Sequence, residues 1–523
     1  MHYILLITTL FLAMIESPAV AFEHEESLVE FIEYSDDVLL ENRDQNKPYF
    51  LLFSAEWCHW CHEFAENTLT RQDVADYLNQ NFVNVFIDTD IHSAAYVKYR
   101  ATGLPFSVFL NPDGTLYYRY TGTLYGDNFL AVISEVATEV GAGKFALGMD
   151  AFQVSYTVPE RLDRETLQEL PDMFKQGLLE NFDNLEYGLG RERKLVLPRT
   201  YSYLLQHADT EDRDQVLDLI KNTMGRAIDN IYDPLEGGFF RYAEKRNWQI
   251  PHYEKFADLN AGAVLLLYQI DQISPSPELK QAADQTLDYL TSTLFDDETG
   301  CFLNFQIADT YYYSLNQKRR ESARKPKVMS KIFTDRLAMT LSYLIRIEEI
   351  TGDQALQDQV RQSLDFLLVM IKQEGGLKRY FDISDKQWHT QSGLSDHALV
   401  ARLLVESARH FDDPRYADLA ANVLHSAVTK FYNKEKGIFI EPSVKEGTNV
   451  EYLMEMNSIL ALSIMGLGDR LDPGGTRIVK SVTTYFSGMV EPLDQRFWNA
   501  VEWEFAESYV PFLQVADKFL ASD

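Results

Sequence analysis

Cysteine is nearly absent from this chain: 523 residues hold only Cys58, Cys61 and the isolated Cys301. That excludes a disulfide framework and leaves Cys58-x-x-Cys61 as the one natural intrachain pair. Basic residues are scarce too, 48 Lys and Arg against 79 Asp and Glu, for a net charge of −31. Such a balance argues against nucleic acid or an anionic membrane surface as partner. Beyond the first twenty residues no apolar run approaches bilayer length. Metal-ligand spacing is missing as well. Two Cys and two His within five consecutive residues make a strained zinc site, and no second CxxC exists to share it. No metal and no other cofactor is therefore expected.

What is present suffices for more than one core. Apolar residues make up 46 % and aromatics 13 %, and the length exceeds what one compact core usually holds. Residues 4–15 form an apolar run of signal-peptide length, and Ala19-Val20-Ala21 follows as a small-x-small cleavage site. The n-region carries His2 but no Lys or Arg. The expectation is export, periplasmic or secreted, with cleavage after Ala21; the alternative is a cytosolic chain with a greasy N-terminus.

The stretch carrying chemistry is Ser54-Ala55-Glu56-Trp57-Cys58-His59-Trp60-Cys61-His62. Before it, residues 48–53 are apolar and aromatic, a strand. After it, Phe64, Leu69 and Val74 open a helix. Two cysteines three apart at a strand-to-helix turn share one face of the first helical turn. The unpaired N–H groups of the helix N-terminus favour the thiolate of Cys58, which should therefore be nucleophilic and open to solvent. Cys61, one turn deeper, is placed to resolve a mixed disulfide. Two alternatives stand: a structural disulfide, and a c-type haem, because Cys58-x-x-Cys61-His62 matches that attachment signature.

Around this turn lie an acidic, helix-prone segment at 22–46, strands at 83–88, 101–110 and 116–120, and helices at 94–99 and 127–140. That α-β-α-β-α-β-β-α order is the thioredoxin order. Pro105 heads a central strand, which is unusual for proline unless its peptide bond is special. A cis Leu104–Pro105 bond would set backbone groups opposite Cys58, where a substrate segment adds as a strand. Trp57, His59, Trp60, Leu104 and Pro105 are the expected substrate-binding residues.

Past a junction at 146–165 the chain reads as helix after helix to its end. A Gly-aromatic phrase recurs between helices, at Gly238, Gly300, Gly376 and Gly437, with spacings of 62, 76 and 61. Repeats of that length mean stacked helix pairs. Six pairs close a ring, so the geometric expectation is an (α/α)6 toroid over 166–523, after a thioredoxin-like domain over 22–145 and a signal peptide over 1–21.

The residues Ala55-Glu56-Trp57-Cys58, with Cys61 and Pro105, look like thioredoxin. The longer Cys58-His59-Trp60-Cys61-His62 resembles the YyaL and spermatogenesis-associated protein 20 family. Gly237-Gly238-Phe239-Phe240-Arg241-Tyr242 and residues 248–255, followed by Asn260 and Ala261, match a second signature of that family. The resemblance implies a thioredoxin-like domain joined to a six-hairpin, glycosidase-like toroid. There are departures. The chain reads Gln306-Ile307-Ala308-Asp309 where the family tends to a Gln-Asp-Ala-Asp run, and Asp335-Arg336-Leu337 where it has a Trp-Asn pair. Leu52 stands where thioredoxins carry a buried acid, and Trp60 where they carry proline; His59, His62 and Glu63 are the local substitutes for that acid.

In the toroid, His252, Glu254 and Lys255 read either as acid and base toward a sugar or as a network pinning a loop. Arg241, Trp248, Asp309, Asp335, Asp396 and His397 are further pocket candidates, with Glu236, Glu451 and Glu455 as possible second carboxylates. Trp248, Trp388, Trp498 and Trp503 are stacking platforms or core. Cys301 reads as a buried filler, and the basic loop around Lys318-Arg319-Arg320 as a solvated connection. The expected activity is thiol–disulfide exchange through Cys58 and Cys61 with a protein partner, the toroid binding glycan or protein. The alternative is a carbohydrate-active enzyme, glycosidase or epimerase, with a regulatory thioredoxin-like domain.

Overall fold

A computed structural model describes residues 27–35, 37–42, 45–144, 156–208, 212–372, 376–442, 449–470, 474–490, 497–499 and 502–522. The expected signal peptide and the first half of the 146–165 junction lie outside them. The chain divides into two compact units that interleave along the sequence. One takes Met1–Leu52, His62–Ile87 and Ser107–Gly148; the other takes Phe53–Cys61, Asp88–Phe106 and Met149–Asp523. The cysteine turn and Pro105 thus belong to the same unit as the long helical region.

The first fold is built on a five-stranded sheet. Its elements run β1 (Ile32–Glu33), α1 (Val38–Glu41), β2 (Tyr49–Ser54), α2 (His59–Phe64), α3 (Gln72–Asn81), β3 (Val83–Asp88), α4 (Ser93–Lys98), β4 (Phe106–Leu110), β5 (Leu116–Thr121) and α5 (Gly126–Gly141). The strand order is β1-β3-β2-β4-β5. Phe50, Phe64, Leu78, Phe109, Phe129 and Ile133 form its core, with Phe50 stacked on Phe109 at 5.2 Å. The opening segment differs from the helix expected there: β1 pairs parallel to β3. The reason is pairing: the Tyr34 N–H donates to the Phe86 carbonyl at 3.1 Å, so the backbone here is satisfied by β3 rather than by a helix, while Val29, Phe31 and Tyr34 are buried.

The helical unit closes into a ring. Its long helices are α6 (Arg164–Glu180), α7 (Pro198–His207), α8 (Arg213–Ile231), α9 (Ala257–Ile273) and α10 (Pro277–Thr293). After two short ones, α11 (Thr310–Ser314) and α12 (Gln317–Arg320), come α13 (Thr334–Thr351), α14 (Gln354–Ile371), α15 (Leu394–His410), α16 (Pro414–Phe431), α17 (Val450–Leu467), α18 (Gly474–Ser487) and α19 (Ala506–Ala521). Helices α7, α9, α13, α15, α17 and α19 contact one another in that cyclic order, α19 returning to α7. Composition separates the layers. In α9 the run Ala261 to Leu267 is buried on every side, as an inner helix requires. In α10 the buried Leu279, Ala282, Ala283, Thr286, Leu287 and Leu290 make a single stripe, as an outer helix requires. Among the described residues α17 has the length and hydropathy to cross a bilayer, contrary to the expectation that no later segment does. Its apolar residues are mostly buried inside the ring.

The repeated turns follow from glycine. Gly238, Gly300, Gly376 and Gly437 all have φ between 67° and 90°, a region that penalises a side chain. An additional copy was hidden in the sequence at Gly188, φ 79°. Each of the first two turns is pinned by a buried lysine. Lys194 pairs with Asp183 at 3.1 Å and Lys255 with Asp233 at 2.9 Å, and each also donates to a carbonyl of its turn. Arg320 joins the second pin, both Asp233 oxygens accepting from it at 2.8 and 2.9 Å. It is buried, which corrects the reading of the 318–320 loop as wholly solvated. An isolated buried carboxylate would be costly, so Asp233 holds the two cations, and through them the turn, in place.

Candidate functional site

Strand β2 ends at Ser54, and the chain turns through Ala55 and Trp57 into α2. The turn brings Cys58 and Cys61 together as a disulfide, Cα to Cα 5.3 Å. The Cys61 N–H donates to the Cys58 sulfur at 3.2 Å, so the leading sulfur receives the polarity of the helix N-terminus. The Leu104–Pro105 bond is cis, as expected. Leu104 packs against the cluster that holds both cysteines.

The leading sulfur is not open to solvent. Cys58 is 3 % exposed and Cys61 4 %, which corrects the expectation of an accessible nucleophile. They lie in an apolar cluster with Trp57, Phe256, Phe305, Met329 and Phe333. Trp57 meets Phe256 edge to face at 5.0 Å, and the Arg241 guanidinium lies 4.4 Å from its ring centre. These partners come from remote parts of the sequence, so their cover over the cysteines was not readable from the turn itself. Of the flanking residues Trp60 alone is exposed, near His59 and His252.

Leu52 packs in the sheet core, and two buried carboxylates lie by the disulfide: Glu56, which pairs with Lys327 at 2.8 Å, and Glu254. The Glu254 Oε1 accepts from the His59 N–H at 3.4 Å, while its Oε2, sealed from solvent, receives no hydrogen bond among the described residues. His252, Glu254 and Lys255 do not converge on one point. His252 stacks on Tyr242 and bonds Glu244 at 3.1 Å, and burial pushes its imidazole down to about 4. Lys255 is committed to Asp233, and burial lowers it to about 8.

A second polar group forms in the same unit. Arg379 bonds Asp335 at 2.6 Å, Asp396 at 2.7 Å and the Asp90 carbonyl at 2.7 Å. Trp57 Nε1 donates to Asp90 at 2.7 Å, linking the cysteine turn to this group. Burial, reinforced by Asp88, raises Asp90 to about 7; burial, reinforced by Asp335, raises Asp396 to about 7 although Arg379 opposes it. Arg379 and Arg336 overcome burial at Asp335 and lower it. Arg336 also bonds Asp258 at 2.8 Å. Asp335 and Asp396 were candidates from sequence; Asp90, Arg379 and Asp258 were not. Asp90 had a signal, its place just past the end of a sheet strand, where α/β folds set their sites. Arg379 had none.

The remaining candidates have structural partners. Trp248 is buried and donates to the Glu186 carbonyl at 2.8 Å. Asp309 caps α11 through the Tyr312 N–H at 2.8 Å. His397 is buried, bonded to the Gly393 carbonyl and to Ser426, and burial lowers it to about 4. Glu236 accepts from Tyr312, and Glu455 pairs with Arg199 at 2.7 Å. Burial raises Glu451. Trp498 is core, Trp388 packs on Phe366 and Phe381, and Trp503 lies over Gly190. Cys301 is fully buried, and burial pushes its thiol up. Among the described residues no three His, Cys, Asp or Glu side chains gather as a metal-ligand set.

Comparison with known proteins follows this division. Residues 11–138 match the Thioredox_DsbH family model, a protein of unknown function, DUF255. The chain is 26 % identical over 314 residues to spermatogenesis-associated protein 20 of Rattus norvegicus, and 24 % to that of Homo sapiens. The resemblance read from the motifs holds. Each match takes 55 % of this chain and 40 % of the relative, so the chain spans well under two thirds of those proteins. Among solved structures, a D-mannose isomerase superposes with TM-score 0.54 at 10 % identity, over 70 % of this chain and all of its own. The cellobiose 2-epimerase of Spirochaeta thermophila gives 0.52 at 16 %, over 68 % and 97 %. Likeness at such identities shows the fold of the helical region, an (α/α)6-type toroid, and nothing of the chemistry; the thioredoxin-like domain with its sheet rests on the family match.

Proposed function

We propose that this chain is an exported thiol–disulfide oxidoreductase acting through Cys58 and Cys61 on a protein partner. The observation that carries the reading is the disulfide at the start of α2, with the Cys61 N–H directed at the Cys58 sulfur. In the reduced form the Cys58 thiolate attacks a partner disulfide, forming a mixed disulfide and releasing one partner thiolate. Cys61, as thiolate, then attacks the Cys58 sulfur and expels the second. Two electrons pass to the partner, whose two thiolates take up the protons lost from Cys58 and Cys61. Oxidation of a partner dithiol is the reverse. Because both sulfurs are covered, the aromatic cluster must part before a protein partner reaches them. Insulin reduction and dithiol oxidation, run with wild type and Cys58→Ser, test the proposal: activity in wild type alone supports it, and none in either direction overturns it. Export is tested by cell fractionation.

One observation favours a second reading, a sugar isomerase- or epimerase-type activity in the toroid. Asp396 and Asp90, both raised to about 7, flank one arginine, the kind of poised acid pair that proton transfer uses. The solved neighbours named for such reactions share the ring. A panel of mannose, cellobiose and other glycans with wild type, Cys58→Ser and Asp396→Asn separates the two. Sugar turnover that survives Cys58→Ser and is lost in Asp396→Asn supports the second.

A further inference from the structure

A separate cavity of about 500 Å³ opens where α7, α13, α15, α17 and α19 approach their C-terminal ends. The chain as a whole is strongly acidic, yet Arg346, Arg402, Arg409 and Lys518 line this cavity with only two acids, Glu406 and Asp517, a third, Glu349, lying outside the lining 3.9 Å from Arg409. The acids are already engaged, Glu406 by Arg402 at 2.9 Å and Asp517 by His207 at 3.0 Å. Arg346 is half-buried and, among the described residues, makes no hydrogen bond or ion pair; Lys518 makes none either. Burial and the neighbouring Arg402 both work against the charge of Arg346. Glu406 and Glu349 act in its favour only through space, so its donors remain open to a ligand. Helix dipoles do not account for it, because their pull is confined to the last turn. Arg346 lies five residues before the end of α13, and Arg402 eight before the end of α15.

We infer that this cavity binds a small phosphorylated sugar. Arg346 and Arg402 would hold the phosphate through their planar forks, which match a tetrahedral oxyanion better than an ammonium does. The volume exceeds what phosphate alone fills and lies in the range of small-molecule sites. Gln206, Ser463 and Gln514 on the remaining wall offer amides and a hydroxyl to the sugar. The inference is independent of the redox reading, because it uses none of the residues around the disulfide.

Calorimetric titration of the full chain with glucose 6-phosphate, glucose and inorganic phosphate tests it. Glucose 6-phosphate is expected to bind most tightly, to weaken as salt rises, and to lose about tenfold or more in affinity in Arg346→Gln. Thermal melts verify that the variant is folded, and Arg402→Gln repeats the test at a second fork. Absence of heat with glucose 6-phosphate, or wild-type affinity in a folded Arg346→Gln, overturns it. Equal affinity for glucose would also overturn it, since the phosphate would then contribute nothing.

Discussion

The Glu254 carboxylate accepts the backbone N–H of His59 at 3.4 Å, one residue past Cys58 at the start of α2. A fixed negative charge there opposes the stabilisation that the helix N-terminus offers a thiolate. Removing it should stabilise the reduced, thiolate form of the pair, so Glu254→Gln should be more oxidising than wild type. Each ~1.4 kcal/mol of relief corresponds to roughly 30 mV for this two-electron couple. Equilibration with glutathione, read by mass after thiol trapping, measures it. Glu254→Asp, which keeps the charge, is the control. An unchanged or more negative potential in Glu254→Gln would show that this carboxylate does not govern the disulfide.

Burial of both sulfurs leads to a kinetic expectation. If the aromatic cluster must part before exchange, reduction by dithiothreitol should accelerate in urea well below the unfolding midpoint. Met329, 1 % exposed in the same cluster, provides a local test. Met329→Ala leaves a cavity costing ~2–5 kcal/mol, and should speed reduction about tenfold or more if opening limits the rate. Equal rates in a folded Met329→Ala would mean that access is not what limits exchange.

The turn pinned by Asp233 should be a point of large stability loss. Asp233→Asn leaves Lys255 and Arg320 buried together without their nearest counter-charge, Glu236 remaining at 3.5 Å from Arg320, a change of roughly 3–5 kcal/mol at most. Lys255→Met should cost less, because Arg320 still satisfies Asp233. Thermal or urea unfolding followed by circular dichroism gives the order. The pin would be ornamental if Asp233→Asn melted with the wild type.

Local features were readable in the sequence and remote ones were not. The cysteine turn, Pro105 and the glycine phrases announce themselves because backbone geometry at those positions admits few residue types. Strand β1 escaped because a two-residue edge strand leaves almost no periodic signal, and its partner β3 lies some fifty residues on. The Asp183–Lys194 and Asp233–Lys255 pins were hidden by unequal spacing, 11 and 22 residues, although the turns they hold are copies. The cover over Cys58 was invisible for the same reason: Phe256, Phe305 and Phe333 look like ordinary core residues until the ring closes. Arg379 joins Asp90 across 289 residues, and no local pattern marks it.

The Arg379 group carries a pH signature. Asp396, raised to about 7 against an ordinary 3.8, binds a proton more tightly in the folded chain than in the unfolded one. Its contribution to stability is whole below the unfolded value and is lost as pH rises through 7. His397, lowered to about 4 from 6.5, runs the other way: its contribution is present above 6.5 and is lost as pH falls toward 4. The two offset each other between about pH 4 and 6.5, so the wild-type profile alone tells little and a difference experiment is needed. Asp396→Asn abolishes the first titration and leaves the second. The melting temperature of wild type minus that of Asp396→Asn should therefore fall as pH rises from about 5 to about 8. A difference that stays constant, or rises, would mean that Asp396 is already ionised at the lower pH and that Arg379 outweighs burial at this site.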